Sequence, residues 1–437
     1  MAQKAAKATK KVDPKKEFKN LLSPIKIKDV ELKNRIAMAP MNTVMSMDNR
    51  GYVNEQILAY YAARAKGGCG LIITECVLGT KLAAKFPFTS NLHCYDASFA
   101  PGLAELAETI HAFGAKTFVQ MSIGFGRQGH AHDGSHPPAP SVVPFQVPFE
   151  LLAKGFPEMI MKEPVLAELA LGSMPYEMTV EEIKAEEDEF ANSCIFALMA
   201  QFDGIELHAP HGYLEHQFLS PRTNKRTDLY GGSLENRMRF LVEVYMKVRE
   251  VVGPDYLLGM RLSADEHMPD GITHKEAVEV ARVMTTLGVD YVHLSDGSYE
   301  ALKYFFPGED GTMLAEAVNF KKAVPVPLMV PSIHDPKNAE KAIASGKCDI
   351  VSYGRQMLVD PEYGNKVAEG RPQDIVRCKR CNECLMRAEV GFPVRCIVNK
   401  NLGREKYMPE YWRPQVKAMS VHKFKVPTRL PNHLRHT

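Results

Sequence analysis

The chain has 437 residues, 45% of them hydrophobic and 24% charged, with a formal net charge of +2. That is length for a large core and the composition of a globular protein in water, and no apolar run approaches the roughly 18 residues of a membrane span. Nothing in the sequence supports a nucleic-acid partner, and no membrane span is expected.

Residues 1–20 hold seven lysines against Asp13 and Glu17. Lacking the apolar stretch of a secretory signal and the arginines of a transit peptide, residues 1–19 read as a flexible basic tail. Five of the nine cysteines, Cys69, Cys76, Cys94, Cys194 and Cys348, are scattered among apolar neighbours. They read as reduced core residues, which points to a reducing, cytoplasmic compartment.

From residue 20 onward, short apolar runs recur at 36–40, 71–76, 116–121, 204–208, 257–261, 291–295, 327–330 and 349–354. Runs without polar alternation read as strands buried on both faces, and the helical stretches between them require parallel pairing. Helices are expected over 101–113, over 179–201 behind a Thr179/Glu182 capping box, and over 233–252 behind Ser233. Eight such units over residues 20–370 predict an α/β fold, a (β/α)8 TIM barrel, with an open doubly wound sheet as the alternative. An insertion at about 130–178, opening with "HAHDGSHPPAPSVVP", leaves the third strand at its C-terminal end and reads as a lid or interface element. "GFGRQG" at 124–129 has the G-x-G-x-x-G spacing but runs into prolines where a dinucleotide site needs a helix.

Barrel enzymes build their sites at the C-terminal strand ends, where Gln120, His208, Arg261 and Ser295 fall. The densest stretch, "ELHAPHGYLEHQFLSPRTNKRTDLYGGSLENRMRF" (206–240), puts His208 and His211 three apart with Tyr213 two further on. Two imidazoles and a phenol can hold a carbonyl that gains negative charge and deliver a proton beside it. A zinc pair and a purely structural pair of histidines are the competing readings.

This stretch resembles the old yellow enzyme family of flavin reductases. So do "NLLSPIKIKDVELKNRIAMAPM" (20–41), Gln120, "GMRLSADE" (259–266) and "DIVSYGRQMLVDPE" (349–362). The resemblance implies FMN at the barrel mouth. Pro40, Met41, Asn42 and Cys76 would line its ring, and Gln120 and Arg261 would bond its polar edge. Ser332, Gly354 and Arg355 would take its phosphate. It further implies that His208 and His211 bind the activating group of the substrate and that Tyr213 is the proton donor.

Beyond the eighth strand, "CKRCNECLMRAEVGFPVRC" (378–396) spaces Cys378, Cys381, Cys384 and Cys396 as C-x2-C-x2-C-x11-C. A tight trio with one distant partner favours a [4Fe–4S] cluster over two zinc knuckles, and a redox disulfide is the third reading. The run also resembles the iron–sulfur branch of the same family, that of 2,4-dienoyl-CoA reductase, 2-enoate reductase and trimethylamine dehydrogenase. A cluster segment is accordingly expected over 371–410. Where the dienoyl-CoA reductase branch has a histidine after the sixth strand, this chain has Tyr299. Residues 411–437 read as a second, extended basic tail, with Pro427 and Pro431, lying over a surface or another subunit of an oligomer.

The leading expectation is a reductase of a C=C bond conjugated to a carbonyl, acid or acyl-CoA thioester. Reversed electron flow, as in an amine dehydrogenase, and a non-catalytic electron relay are the alternatives. Full-length members of the branch continue into an FAD- and NAD(P)H-binding half. Here the sequence ends about forty residues past Cys396. An external donor is therefore expected: a ferredoxin, an electron-transfer flavoprotein or a separate FAD subunit.

Overall fold

The computed structural model describes residues 12–46, 50–130, 133–147, 172–415 and 419. All eight expected runs contain strands: β1 (Ile36–Met38), β2 (Leu71–Ile73), β3 (Lys116–Ser122), β4 (Gly204–His208), β5 (Leu257–Ser263), β6 (Val292–Ser295), β7 (Leu328–Pro331) and β8 (Ile350–Tyr353). Each pairs in parallel with its neighbour in sequence, and β8 pairs with β1 through Val351 and Ile36. An open doubly wound sheet would have two unpaired edges, so this closure establishes the barrel.

Every residue of β1, β2 and β4–β8 is buried, which is why these runs lack alternation. The helices start where their caps dictate. Thr179 and Glu182 form a reciprocal capping box ahead of Val180–Met199, and Ser233 accepts from the Asn236 amide ahead of Leu234–Val252. A hairpin, Ile25–Ile27 against Val30–Leu32, brings Ile27 and Leu32 into one apolar cluster with Ala37, Leu71, Phe118, Leu257, Met329 and Ile350, from the strands' N-terminal halves. That plug leaves the C-terminal ends for chemistry.

Packing at both ends of the chain reaches beyond residues 20–410. The chain is already packed before residue 20: Asp13 caps a short helix, Pro14–Glu17, the Val12 amide donates to Gly370, and Phe18 is fully buried. An apolar Phe18 among the lysines is what anchors it. At the other end, Trp412 is buried in the main core and Arg413 pairs with Glu55 at 3.0 Å, so packing runs past 411. The rest of the second tail, 416–418 and 420–437, lies outside the described residues.

The barrel also carries two short strands that no sequence pattern announced, Val77–Leu78 on β3 and Leu92–His93 beside it. Two residues each are too few to show a period. Of the insertion, the ends are described. Pro138–Ala139 pairs with Tyr176–Glu177, and residues 131–132 and 148–171 of this expected lid or interface element lie outside the described residues. "GFGRQG" forms a single 3-10 turn, Gly126–Gln128, and residues 129–130 after it are not helical. Among the described residues no helix is long and apolar enough to cross a membrane.

Candidate active site

A cavity of about 170 Å³ opens at the C-terminal ends of the strands. It gathers Pro40, Met41, Asn42, Cys76, Gln120, His208, His211, Tyr213, Arg261, Tyr299, Ser332, Gly354 and Arg355, the whole expected flavin and substrate set, into one wall. Residues 300 apart in sequence meet because each ends a strand of the same closed barrel.

His208 ends β4. The chain then turns sharply, with His211 at φ 68° and Gly212 at φ 81°. The turn is held from outside by Gln128, whose amide donates to the carbonyls of His211 (3.1 Å) and Gly212 (2.6 Å), and by the Ser263 hydroxyl, which accepts from the His211 amide at 3.2 Å. The left-handed backbone at His211 is therefore imposed by bonds on both sides. It brings the rings of His208 and His211 to 5.2 Å and those of His208 and Tyr213 to 5.1 Å. Phe305 stacks on His211 at 3.7 Å.

Burial and the nearby Arg261 guanidinium push both histidines well below the ordinary imidazole range, so both are neutral. Ser295, at the end of β6, bridges His211 to charge: Arg261 donates to its oxygen at 3.3 Å, and its oxygen lies 2.6 Å from His211 Nε2. With one hydrogen and two lone pairs, the Ser295 hydroxyl accepts from the guanidinium and still pairs with either tautomer of His211. His208 stands apart, because neither of its buried ring nitrogens has a partner among the described residues. Burial also raises the Tyr213 phenol well above its usual value, so it keeps its proton. Its hydroxyl donates to Tyr299 at 3.1 Å.

Below the cavity, Gln120 donates to Glu206 at 2.7 Å, and Glu206 in turn accepts from Tyr291 and contacts His293, each at 2.9 Å. This network fixes the Gln120 amide with its carbonyl oxygen left to accept from a ligand. Cys76 stays a thiol, since burial and then Glu215 and Glu75 raise it well above its usual value.

These residues fit a flavin. Pro40, Met41 and Cys76 offer an apolar bed beside Gln120 and Arg261, and Arg261 Nε is buried with no partner among the described residues. A reduced flavin carries negative charge that such a guanidinium offsets. Ser332, at φ 66°, and Gly354 line the cavity as expected. Arg355 is already engaged: it donates to Asn382 at 2.6 Å and to the Pro307 carbonyl at 2.7 Å.

The four clustered cysteines line one small void beside Arg355, with Cys381 exposed and the others half-buried. Backbone amides donate to sulfur at two of them, Arg380 to Cys378 at 3.4 Å and Val398 to Cys396 at 3.3 Å. Among the described residues no three Cys, His, Asp or Glu side chains lie close enough to hold a single metal ion.

Sequence reasoning missed Glu389, which lines the same cavity and accepts from Tyr299 at 3.4 Å. It also missed Phe305 and the Glu206 network. Strand alternation could have flagged Glu206, a carboxylate inside an apolar run, but nothing in the sequence tied Glu389 to the barrel.

Residues 20–374 match the model of the NADH:flavin oxidoreductase / NADH oxidase family. The chain is 38% identical to an NADH oxidase of Thermoanaerobacter brockii over 416 residues, covering 92% of this chain and 59% of that protein. It is 33% identical to a cinnamate reductase of Clostridium sporogenes over 421 residues, covering 90% and 59%. A solved 2-naphthoyl-CoA reductase, in complex with 2-naphthoyl-CoA, superposes with a TM-score of 0.79 at 32% identity, over 89% of this chain and 58% of its own. The chain thus spans under three fifths of the length of each of these relatives.

Proposed function

This chain belongs to the NADH:flavin oxidoreductase / NADH oxidase family, and from that premise we propose that it reduces a C=C bond conjugated to a carbonyl, carboxylate or thioester, using FMN and a [4Fe–4S] cluster. The observation that carries this reading is His208. A neutral imidazole with two unpartnered nitrogens, buried in a cavity beside a protonated phenol, costs free energy unless a ligand oxygen completes it.

FMN, when bound, supplies a hydride for the β-carbon of the substrate. His208 and His211 each donate an N–H to the carbonyl oxygen and stabilise the charge that grows there, and as neutral donors they bind it without protonating it. Tyr213 delivers the proton to the α-carbon. Phe305 stacks against His211 and, with Met41, keeps the oxygen's surroundings apolar, which strengthens both hydrogen bonds. An amine would leave both imidazoles without an oxygen, which disfavours the amine dehydrogenase reading, and a pure relay would have no use for the Tyr213 phenol.

For the cluster, the support is that Cys378, Cys381, Cys384 and Cys396 line one void and that two of their sulfurs accept backbone N–H groups, as electron-rich thiolates require. Such a cluster passes electrons singly. An external donor, whether a ferredoxin, an electron-transfer flavoprotein or an FAD subunit, is supported by an exposed apolar surface around it, where Phe392 and Ile397 are 58% and 56% exposed.

The test is anaerobic mixing of the reduced protein with enoates, enoyl thioesters and amines. Rapid flavin reoxidation by an unsaturated acid or thioester is expected. Amine-driven flavin reduction, with no response to any unsaturated carbonyl, would sink the reading.

A further inference from the structure

The cysteine-rich segment does more than hold sulfur. Its helix Glu383–Glu389 lends Cys384, Leu385, Ala388 and Glu389 to the wall of the cavity that contains Tyr213. Glu389 ends that helix, and from it three oxygens run inward in sequence: Tyr213 donates to Tyr299 at 3.1 Å and Tyr299 donates to Glu389 Oε1 at 3.4 Å. Exposure grows along this row, from Tyr213, 7% exposed, to Tyr299 and Glu389, both half-buried. Tyr299 and Glu389 thus each present more surface than Tyr213, and Glu389 lines the same cavity.

The surroundings keep the row neutral. Phe88 and Phe305 flank the Tyr299 ring at 5.3 Å each, and Arg387, on the Glu389 helix, turns away to donate to the Pro393 carbonyl at 3.1 Å. Among the described residues no lysine or arginine pairs with Glu389, and burial pushes its carboxyl up to about 8. The titratable groups facing the inner end are His208, His211, Arg261 and Cys76. None of them shares a hydrogen bond with Tyr299.

We propose that Glu389 is the proton reservoir of the site, recharging Tyr213 through Tyr299 after each turnover. The inference rests on the reading of Tyr213 as the α-carbon donor. In one cycle the β-carbon gains a hydride from the reduced flavin and the α-carbon gains the Tyr213 proton, which together saturate the C=C bond. The Tyr213 oxygen then takes the Tyr299 proton, Tyr299 takes the Glu389 proton, and the Glu389 carboxylate is reprotonated by water. The direction of the row depends on Glu389. As a carboxylate it draws both phenol hydrogens outward, away from the substrate; as an acid it donates to Tyr299 and turns both inward. Glu389 is thus a positioning residue that acts through Tyr299.

The test uses the flavin-loaded protein with three variants. In difference infrared spectra, protonated-carboxyl C=O intensity that titrates near pH 8 is expected, and Glu389→Gln removes the part of it that does not belong to Glu215. The same variant is expected to slow steady-state turnover at least about tenfold, to abolish the alkaline limb of the pH profile, and to recover rate with small acids such as imidazole. If Glu389→Gln fails to load flavin, Tyr299→Phe cuts the same row and carries the kinetic test. A Glu389→Gln protein that loses no carboxyl intensity relative to the wild type, or that keeps an unchanged pH profile, overturns the relay. Tyr213→Phe at wild-type rate overturns instead the reading it rests on, so the two failures are distinct.

Discussion

Arg64 and Glu405 meet 341 residues apart in sequence, guanidinium Nη1 to carboxylate Oε1 at 2.9 Å, with both side chains buried. Arg64 comes from the helix Glu55–Lys66 that follows β1, and Glu405 from beyond the last clustered cysteine. Tyr60 lies under the guanidinium at 3.9 Å, and Gln56 donates to the other carboxylate oxygen at 3.1 Å. The pair ties the cysteine-rich segment to the barrel.

Removing one member leaves the other charged, buried and unpaired. Glu405→Ala is therefore expected to lower stability by about 3–5 kcal/mol, the usual result of breaking a buried ion pair from one side. Denaturant unfolding, followed by far-UV circular dichroism, measures it. A loss under about 1 kcal/mol would show that Arg64 finds another partner or water.

Tyr213→Phe keeps the ring and loses the proton. It is expected to bind flavin normally and to slow substrate-dependent flavin reoxidation by ~10²–10⁴-fold, the range for a positioned general acid. His208→Ala is expected to weaken binding of phenols and enones, because it removes one donor to their oxygen. Stopped-flow reoxidation and ligand titrations separate the two effects. Equal losses of rate and affinity in both variants would argue against distinct roles.

Anaerobically isolated protein is expected to hold about four iron and four acid-labile sulfide per chain, as one cubane cluster requires. Cys384→Ala is expected to lose both while retaining the barrel's helical signal. Stoichiometric zinc without iron would overturn the assignment.

Glu215 is buried behind Ser122 and the Ile123 amide, and burial pushes its carboxyl up to about 8 from an ordinary 4.5. Between those values the folded protein holds a proton that the unfolded chain releases, so stability falls as pH rises through that window. Glu389, also at about 8, adds to the same slope. At the acid end the sign reverses: Asp203, held down to about 2 with His111 and Lys116 beside it, loses its contribution as pH drops from about 4 toward 2. Glu215→Gln keeps the acceptor for Ile123 and removes the proton. Thermal melts across pH 5 to 8.5 are expected to fall less steeply in this variant than in the wild type.

The barrel was legible because its strands are buried on both faces, so β-branched runs such as 71–76 stand out and the caps at Thr179 and Ser233 mark the helices between. His208, His211 and Tyr213 were legible because polar residues crowd a strand end. Glu389 was not, since its place in the cavity depends on where a seven-residue helix docks, and docking of that kind leaves no period in the sequence. Phe18 was hidden for the opposite reason: one apolar residue among lysines looks like a tail, yet it is enough to fasten the chain when the barrel offers a pocket. Arg355 lines the cavity, but Asn382 and Pro307 approach it from segments the phosphate reading did not involve.

The helix that carries Cys384 also supplies Ala388 and Glu389 to the reaction chamber, so the room available to a substrate is shaped partly outside the barrel. Swapping side chains on that one helix reshapes the chamber while every strand stays as it is. Engineers seeking a new substrate range would then do well to vary Leu385 and Ala388 before any barrel residue, and to treat the cysteine spacing as the fixed frame on which those choices hang.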